Sequence, residues 1–261
     1  CLAALSDDED LLTHLFQYRF ARANGSLKGH SFGNLFISAL AEVTGSFEKA
    51  IAESGRVLAV RGRVIPSTLE NVILEADIIT PEDGTKLRVV GESRIPETPG
   101  RISRVMLEPD KPAANPQAIR AILSADLVVI GPGSLYTSIM PNLLVPDLAA
   151  ALRSTSALRI FINNVAAQQG ETEGFSSGDH LRVLEKQLGG NLFDIVVVNS
   201  QPPEEFNELV QGVPVEPELS LKYQVYEADL VDREYPWRHN SEQLAEALID
   251  LLAERTGPLM A

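Results

Sequence analysis

Asp126-Leu127-Val128-Val129-Ile130-Gly131-Pro132-Gly133-Ser134-Leu135-Tyr136-Thr137-Ser138-Ile139 decides the fold of this 261-residue chain. An apolar run of strand type stops at a Gly-Pro-Gly-Ser turn and resumes as a Leu/Tyr/Ile segment able to start a helix. Such a corner points backbone N–H groups of a helix N-terminus past the carboxyl end of a strand, a setting for phosphate or another small anion. In that turn, beside Gly131, Gly133 would permit close backbone approach or a positive φ, and Ser134 would cap the helix while binding an anion. The alternative is a plain strand-to-helix turn with a serine cap.

Around this corner the chain alternates helix and strand. Pro116–Ser124 reads as a helix, Leu127–Ile130 as a strand, Pro146–Leu152 as a helix and Leu158–Ile162 as a strand. Ser177–Leu188 comes next as a helix, Ile195–Val198 as a strand, and a helix from Ser241 to about Arg255 ends the pattern, capped by Asn240 or Ser241. Short apolar strands separated by helices indicate parallel βαβ units buried on both faces. Upstream, Asp7 to about Ala23 has helical spacing and ends at the Asn24-Gly25-Ser26 break. A second helix runs to about Val43, with a third from Ser46 to Ser54. Val57–Val60, Val72–Leu74 and Leu87–Val90 are strand-like, and Pro81-Glu82-Asp83-Gly84 reads as the hairpin turn joining the last two. The expected fold is one α/β domain over 1–261: a three-layer, doubly wound, mainly parallel sheet with a β-hairpin excursion at about 56–110.

Two further segments carry polar chemistry. Asn163 and Asn164 come directly after the strand Leu158–Ile162, where amides can read a base, ribose or sugar hydroxyl beyond the strand's carboxyl end. The next loop contains Gly170, Glu171 and Thr172 and reaches Asp179-His180; it reads as a lid or, more plainly, a solvated loop. The other segment is Gly29-His30-Ser31-Phe32-Gly33-Asn34. Gly29, His30, Ser31 and Asn34 could form an anion nest, against the alternative of a helix N-cap with Gly33 present for close packing. Trp237-Arg238-His239 reads as an anchor for the last helix, and Arg61, Arg63, Arg94 and Arg101 as surface charges.

A formal net charge of −14 and a pI near 4.7 argue against nucleic acid or an anionic membrane as partner. A phosphorylated small molecule remains compatible, because backbone amides and a few arginines can bind it inside an acidic protein. One cysteine, Cys1, cannot form an internal disulfide, and no apolar run spans a bilayer, so a cytoplasmic protein is expected. Four scattered histidines give no metal-ligand spacing, and no Walker, nucleophile-elbow or dinucleotide fingerprint is present.

Together Gly29–Leu35, Gly131–Ile139 with Pro141-Asn142-Leu143-Leu144, and Gly170–Gly174 with Asp179-His180 closely resemble the bacterial gluconeogenesis factor family, which binds uridine-diphosphate sugars and is related to 2-phospho-L-lactate transferase. The resemblance covers essentially the whole chain. It implies a Rossmann-like fold, a cytoplasmic location, a homodimer, and a role in gluconeogenic growth and cell shape by ligand binding rather than catalysis. Gly131, Gly133 and Ser134 would then hold phosphates and Asn163 and Asn164 the ribose or sugar, with the loop through Gly170, Glu171 and Thr172 closing over the ligand and His180 nearby. The family normally begins with a glycine-rich strand–loop–helix and an acidic, glycine- and serine-containing stretch. Cys1-Leu2-Ala3-Ala4-Leu5 resembles the family's sequence just downstream of both, so an N-terminal part of the site is expected ahead of this chain. Gln169 stands where the family often has proline. The transferase branch usually carries Ser-Asn-Pro after Gly-Pro, whereas Gly133-Ser134-Leu135 stands here, which favours the regulatory branch. The transferase alternative would use Asp179 and Glu171 to hold Mg²⁺ and His30 or His180 as a donor; no other cofactor is implied.

Overall fold

Serine and glycine punctuation sets the first helices in a computed structural model that describes residues 9–20, 27, 29–58, 60–190, 192–200 and 210–256. The chain divides into two units, Cys1–Leu69 and Glu70–Ala261. In the first, α1 covers Glu9–Gln17, α2 Phe32–Thr44 and α3 Phe47–Val57. The helix expected over Asp7–Ala23 is shorter because the backbone of Phe20 pairs instead with Gly29 and His30. Cys1 and the Asn24-Gly25-Ser26 break lie outside the described residues. The Ser31 and Ser46 hydroxyls accept the Asn34 and Lys49 N–H groups at 3.2 and 3.4 Å, and Gly45 ends α2 at φ +70°. The strand expected at Val57–Val60 is not formed. Val57 closes α3 and the Leu58 N–H donates to Ser54 O, so an i→i−4 bond overrides the β-branched preference.

The second unit opens with an antiparallel sheet of β1 (Ile73–Ile79), β2 (Lys86–Val90) and β3 (Arg101–Glu108), in the order β2-β1-β3. Pro81–Gly84 does form the β1–β2 turn, where Asp83 accepts from the Thr80 hydroxyl at 2.6 Å and the Thr85 N–H at 3.0 Å. Leu74, Ala76 and Ile78 alternate inward, as a one-faced strand requires. The β-rich excursion thus occupies 73–108, and residues 56 and 57 belong to α3, with Leu58 as its C-cap.

The remainder is the α/β core. Its elements are α4 (Pro116–Leu123), β4 (Leu127–Ile130), α5 (Met140–Leu143), α6 (Pro146–Ser154), β5 (Leu158–Ile162), α7 (Ser177–Leu188), β6 (Ile195–Asn199), β7 (Gln224–Ala228) and α8 (Ser241–Thr256). The four strands run parallel in the order β4-β5-β6-β7. Period-two alternation sends Leu158, Ile160, Ile162, Ile195 and Val197 toward Ala247 and Leu251 of α8. Phe161, Val196 and Val198 face the other way, into a cluster with Leu148, Leu152, Leu181 and Leu184 and with the inward side of the antiparallel sheet. This is a Rossmann-like α/β arrangement with both sheet faces covered. Each fully buried Leu, Ile or Val contributes about 1.5–3 kcal/mol. Arg159 lies in the otherwise apolar β5 because Asp194 accepts from its Nη2 at 2.6 Å and its Nε at 3.1 Å. Strand β7 escapes a reading from sequence because Gln224-Val225-Tyr226-Glu227-Ala228 alternates at a sheet edge instead of forming an apolar run. Among the described residues no single helix is long and apolar enough to cross a membrane.

Candidate functional site

The carboxyl ends of β4 and β5 bring two of the three polar segments together. Gly131 adopts φ +89°, and a Cβ there would lie 3.0 Å from Ile162 O, so this position needs glycine. The expectation of a positive φ at Gly133 is corrected: a Cβ there would make ordinary contacts, the nearest at 3.6 Å. Gly133 is bracketed by Asn164, whose Nδ2 donates to Gly133 O at 3.0 Å and whose Oδ1 accepts the Gly133 N–H at 3.4 Å. Ser134 sits at the N-terminus of the helical turn Leu135–Ile139 but makes no side-chain cap. Its Oγ instead accepts from Gln168 Nε2 at 2.9 Å. An amide from the loop after β5 takes the hydroxyl that a local rule assigns to the cap.

Glu171 changes the meaning of the turn. This carboxylate, 8% exposed, accepts the Tyr136 N–H at 2.9 Å and the Thr137 hydroxyl at 2.5 Å. A charge from the chain's own loop therefore occupies the start of the helical turn, where a phosphate was expected. Thr172, fully buried, accepts the Gln168 N–H through Oγ1 at 2.9 Å. Gly170, at φ +77°, packs so closely that a Cβ would strike Pro96 O at 1.9 Å. The loop expected as a lid is a tether, held at Ser134, Tyr136, Thr137 and Pro96. His180 is 1% exposed. Its Nδ1–H donates to Ser176 O at 2.8 Å, its ring meets Phe175 edge-on at 5.6 Å, and its Nε2 has no partner among the described residues. Burial pushes this imidazole down, partly offset by the Ser176 carbonyl and Asp179. Asp179 does not form a dyad with His180; it completes the capping box with Ser176 and pairs with Arg182 at 2.7 Å.

Gly29, His30, Ser31 and Asn34 lie in the first unit and form the cap alternative. Ser31 is the α2 N-cap, Gly29 O accepts from Arg19 Nη1 at 3.0 Å, and a Cβ on Gly33 would sit 2.8 Å from Phe16 Cδ1. Close packing of α1 on α2 explains that glycine.

A cavity of about 330 Å³ opens on the α8 side of the strand ends. Pro132, Gly133, Asn164 and Gln168 form one wall; Trp237, Arg238 and His239, with Ser241 and Leu244 of α8, form the other. The 237–239 segment is held by Asp232 N–H on Arg238 O at 3.0 Å and Asn240 N–H on Leu230 O at 2.7 Å. His239 Nε2–H donates to Asn163 O at 3.1 Å, and burial pushes that imidazole down. The Arg238 guanidinium lies 5.4 Å from the Tyr235 ring centroid and has no ion pair among the described residues, whereas Arg88, Arg159 and Arg182 are all paired. Among the described residues no carboxylate lines the cavity. In sequence, Trp237-Arg238-His239 reads only as an anchor. The signal that could have found it is topological: a helix returning from a parallel strand begins at the strands' carboxyl ends, where ligands bind in such sheets.

The family model described as "2-phospho-L-lactate transferase CofD" matches residues 1–234. A putative gluconeogenesis factor of Nostoc sp. is 51% identical over 204 residues, covering 78% of this chain and 43% of that protein. The chain thus spans less than half the length of that relative. A putative gluconeogenesis factor of Aquifex aeolicus is 41% identical over 266 residues, covering 97% of this chain and 78% of its own length. A crystal structure of a UPF0052 family member from Bacillus halodurans superposes with a TM-score of 0.82 at 37% identity, over 95% of this chain and 80% of that one.

Proposed function

The chain belongs to the CofD family, and from that premise we propose that it is a regulatory protein that binds a uridine diphosphate sugar and is required for gluconeogenic growth and cell-shape maintenance. One observation carries the reading: in a chain of net charge −14, the described residues that line the cavity at the strand ends include Arg238, which has no ion pair among the described residues, and no carboxylate. Such a lining selects an anion. Asn164 and Gln168 supply amides for hydroxyl or base edges, and Trp237, 48% exposed, supplies an apolar face. The volume lies in the usual range for small-molecule sites. Relatives carrying the name gluconeogenesis factor support the physiological part. A cytoplasmic location and a homodimer belong to the same proposal.

Calorimetric titration of the full chain with a uridine diphosphate sugar tests it. Saturable binding that Ser134→Tyr weakens, by displacing Gln168 from the cavity wall, supports the assignment; unchanged affinity in that variant overturns it. The transferase reading is favoured by the description of the family model and would call for Mg²⁺. Glu171 is engaged by Tyr136 and Thr137, and Asp179 by Ser176 and Arg182. Among the described residues no three His, Cys, Asp or Glu side chains converge as metal ligands. These residues do not fit a Mg²⁺ site. Product formation from a guanosine diphosphate-linked donor and a deazaflavin acceptor would establish the transferase instead.

A further inference from the structure

We propose that His239 is a ligand contact that binds the diphosphate as an imidazolium, taking up one proton from solvent as the anion enters the cavity beside Arg238. This rests on the cavity being the ligand site. The ring lines that cavity and is oriented by one bond, Nε2–H to Asn163 O at 3.1 Å. That bond makes Nε2 the protonated nitrogen of the neutral ring and leaves Nδ1 a bare acceptor. Nδ1 has no partner among the described residues, and it is not sealed from solvent as His180 Nε2 is. A proton arriving on Nδ1 leaves the Asn163 bond intact and creates a new donor on a neighbour of Arg238. Uptake therefore needs no rearrangement of the wall, only a counter-charge.

Among the described residues no acid supplies that counter-charge. Among the described residues, the charged groups on the elements around the ring are Asp229, Asp232, Arg233, Glu234 and Arg238 of the segment ahead of α8, Glu242 at the start of α8, and Glu171 and Glu173 of the loop after β5, with Asp229 paired to Arg233. Glu171 faces Tyr136 and Thr137, and Glu173 accepts from the Gly170 N–H. Only burial, downward, and the Asn163 carbonyl, upward, move the His239 equilibrium, and burial wins. The free protein thus holds the ring neutral at neutral pH. A diphosphate brings negative charge into a partly buried space lined by no carboxylate among the described residues, which favours the protonated ring. One N–H bond forms, and the proton comes from solvent.

Calorimetry of the full chain with uridine diphosphate glucose, in two buffers of different ionisation enthalpy and between about pH 6 and 8, decides the matter. The diphosphate diester of this probe does not titrate in that range, so any proton uptake belongs to the protein. The expected result is uptake of up to one proton per ligand, with affinity rising up to about tenfold for each unit the pH falls. His239→Gln retains an N–H for Asn163 O but cannot be protonated, so uptake should vanish and the profile flatten. Arg238→Ala should weaken binding at every pH while retaining uptake. Binding by the unaltered chain without uptake, or uptake that persists in His239→Gln, overturns the assignment of His239. Absence of binding at any pH overturns the site reading itself. The buffer comparison needs no variant, so a substitution that misfolds leaves the test decisive.

Discussion

The strand ends of the parallel sheet carry two polar regions that differ in what balances their charge. Around Tyr136, Thr137 and Asp179 the carboxylates are engaged from within: Glu171 sits on the Tyr136 N–H, and Asp179 is engaged by Ser176 and Arg182. On the α8 side, Arg238 and His239 border a cavity lined by no acid among the described residues. An internal carboxylate makes the first region a structural joint, while a missing one leaves the second able to receive an anion. A glycine-rich turn after a parallel strand therefore does not locate a phosphate by itself; the question is whether the chain has already filled the nest.

The sharpest way to break this contrast is Glu171→Ala. It strands the buried Tyr136 N–H and the Thr137 hydroxyl, so the unfolding free energy should fall by about 2–5 kcal/mol in a urea melt. If stability is unchanged, the joint is not structural. Arg238→Ala should do the reverse. Diphosphate affinity should drop by about 10- to 100-fold, the equivalent of about 1.5–3 kcal/mol, with stability within about 0.5 kcal/mol of the parent. A variant that loses stability but no affinity would exchange the roles of the two regions.

Within the turn, Gly131→Ala should cost about 1–3 kcal/mol, from φ +89° and the approach to Ile162 O. Gly133→Ala, with ordinary contacts around its new methyl, should stay within about 0.5 kcal/mol. Paired thermal melts of the two variants read the difference directly.

The smallest expected effect is in pH dependence. Burial holds the His180 imidazole below its ordinary 6.5, so the unfolded chain binds a proton there that the folded chain refuses. Stability is complete above that pH and declines as pH falls through it toward the folded value, by at most about 1.4 kcal/mol per unit. His180→Gln should flatten its share. His239 contributes with the same sign in the free protein, and saturating diphosphate should cancel that share alone, because only His239 faces the cavity. Urea melts across the range, with and without ligand, separate the two histidines.

Local signals are legible where the physics is local. Leu127–Ile130, Leu158–Ile162 and Ser177–Leu188 fold with the boundaries their apolar period and flanking Gly, Pro and Ser residues set, and the Gly131-Pro132-Gly133 turn falls between strand and helix as its residues require. Val57–Val60 and Gln224–Ala228 mislead because helix continuation and an edge position each override residue preference. The candidate site is legible only on one wall. Asn164 and Gly133 announce themselves as amide and glycine after strands, but Trp237-Arg238-His239 has no pattern beyond lying before an amphipathic helix.

By itself the sequence determined an acidic α/β chain, the positions of its parallel strands, and the corner at Gly131. Hydrophobic period and turn chemistry act over a few residues, and that range suffices for those features. Tertiary structure alone decided that a carboxylate 35 residues away occupies the turn, and that Arg238, just ahead of α8 and without an ion pair among the described residues, lines the same cavity as Asn164 and Gln168. Charge balance depends on which groups meet in space, and residues remote along the chain become neighbours only when the sheet and its returning helix pack.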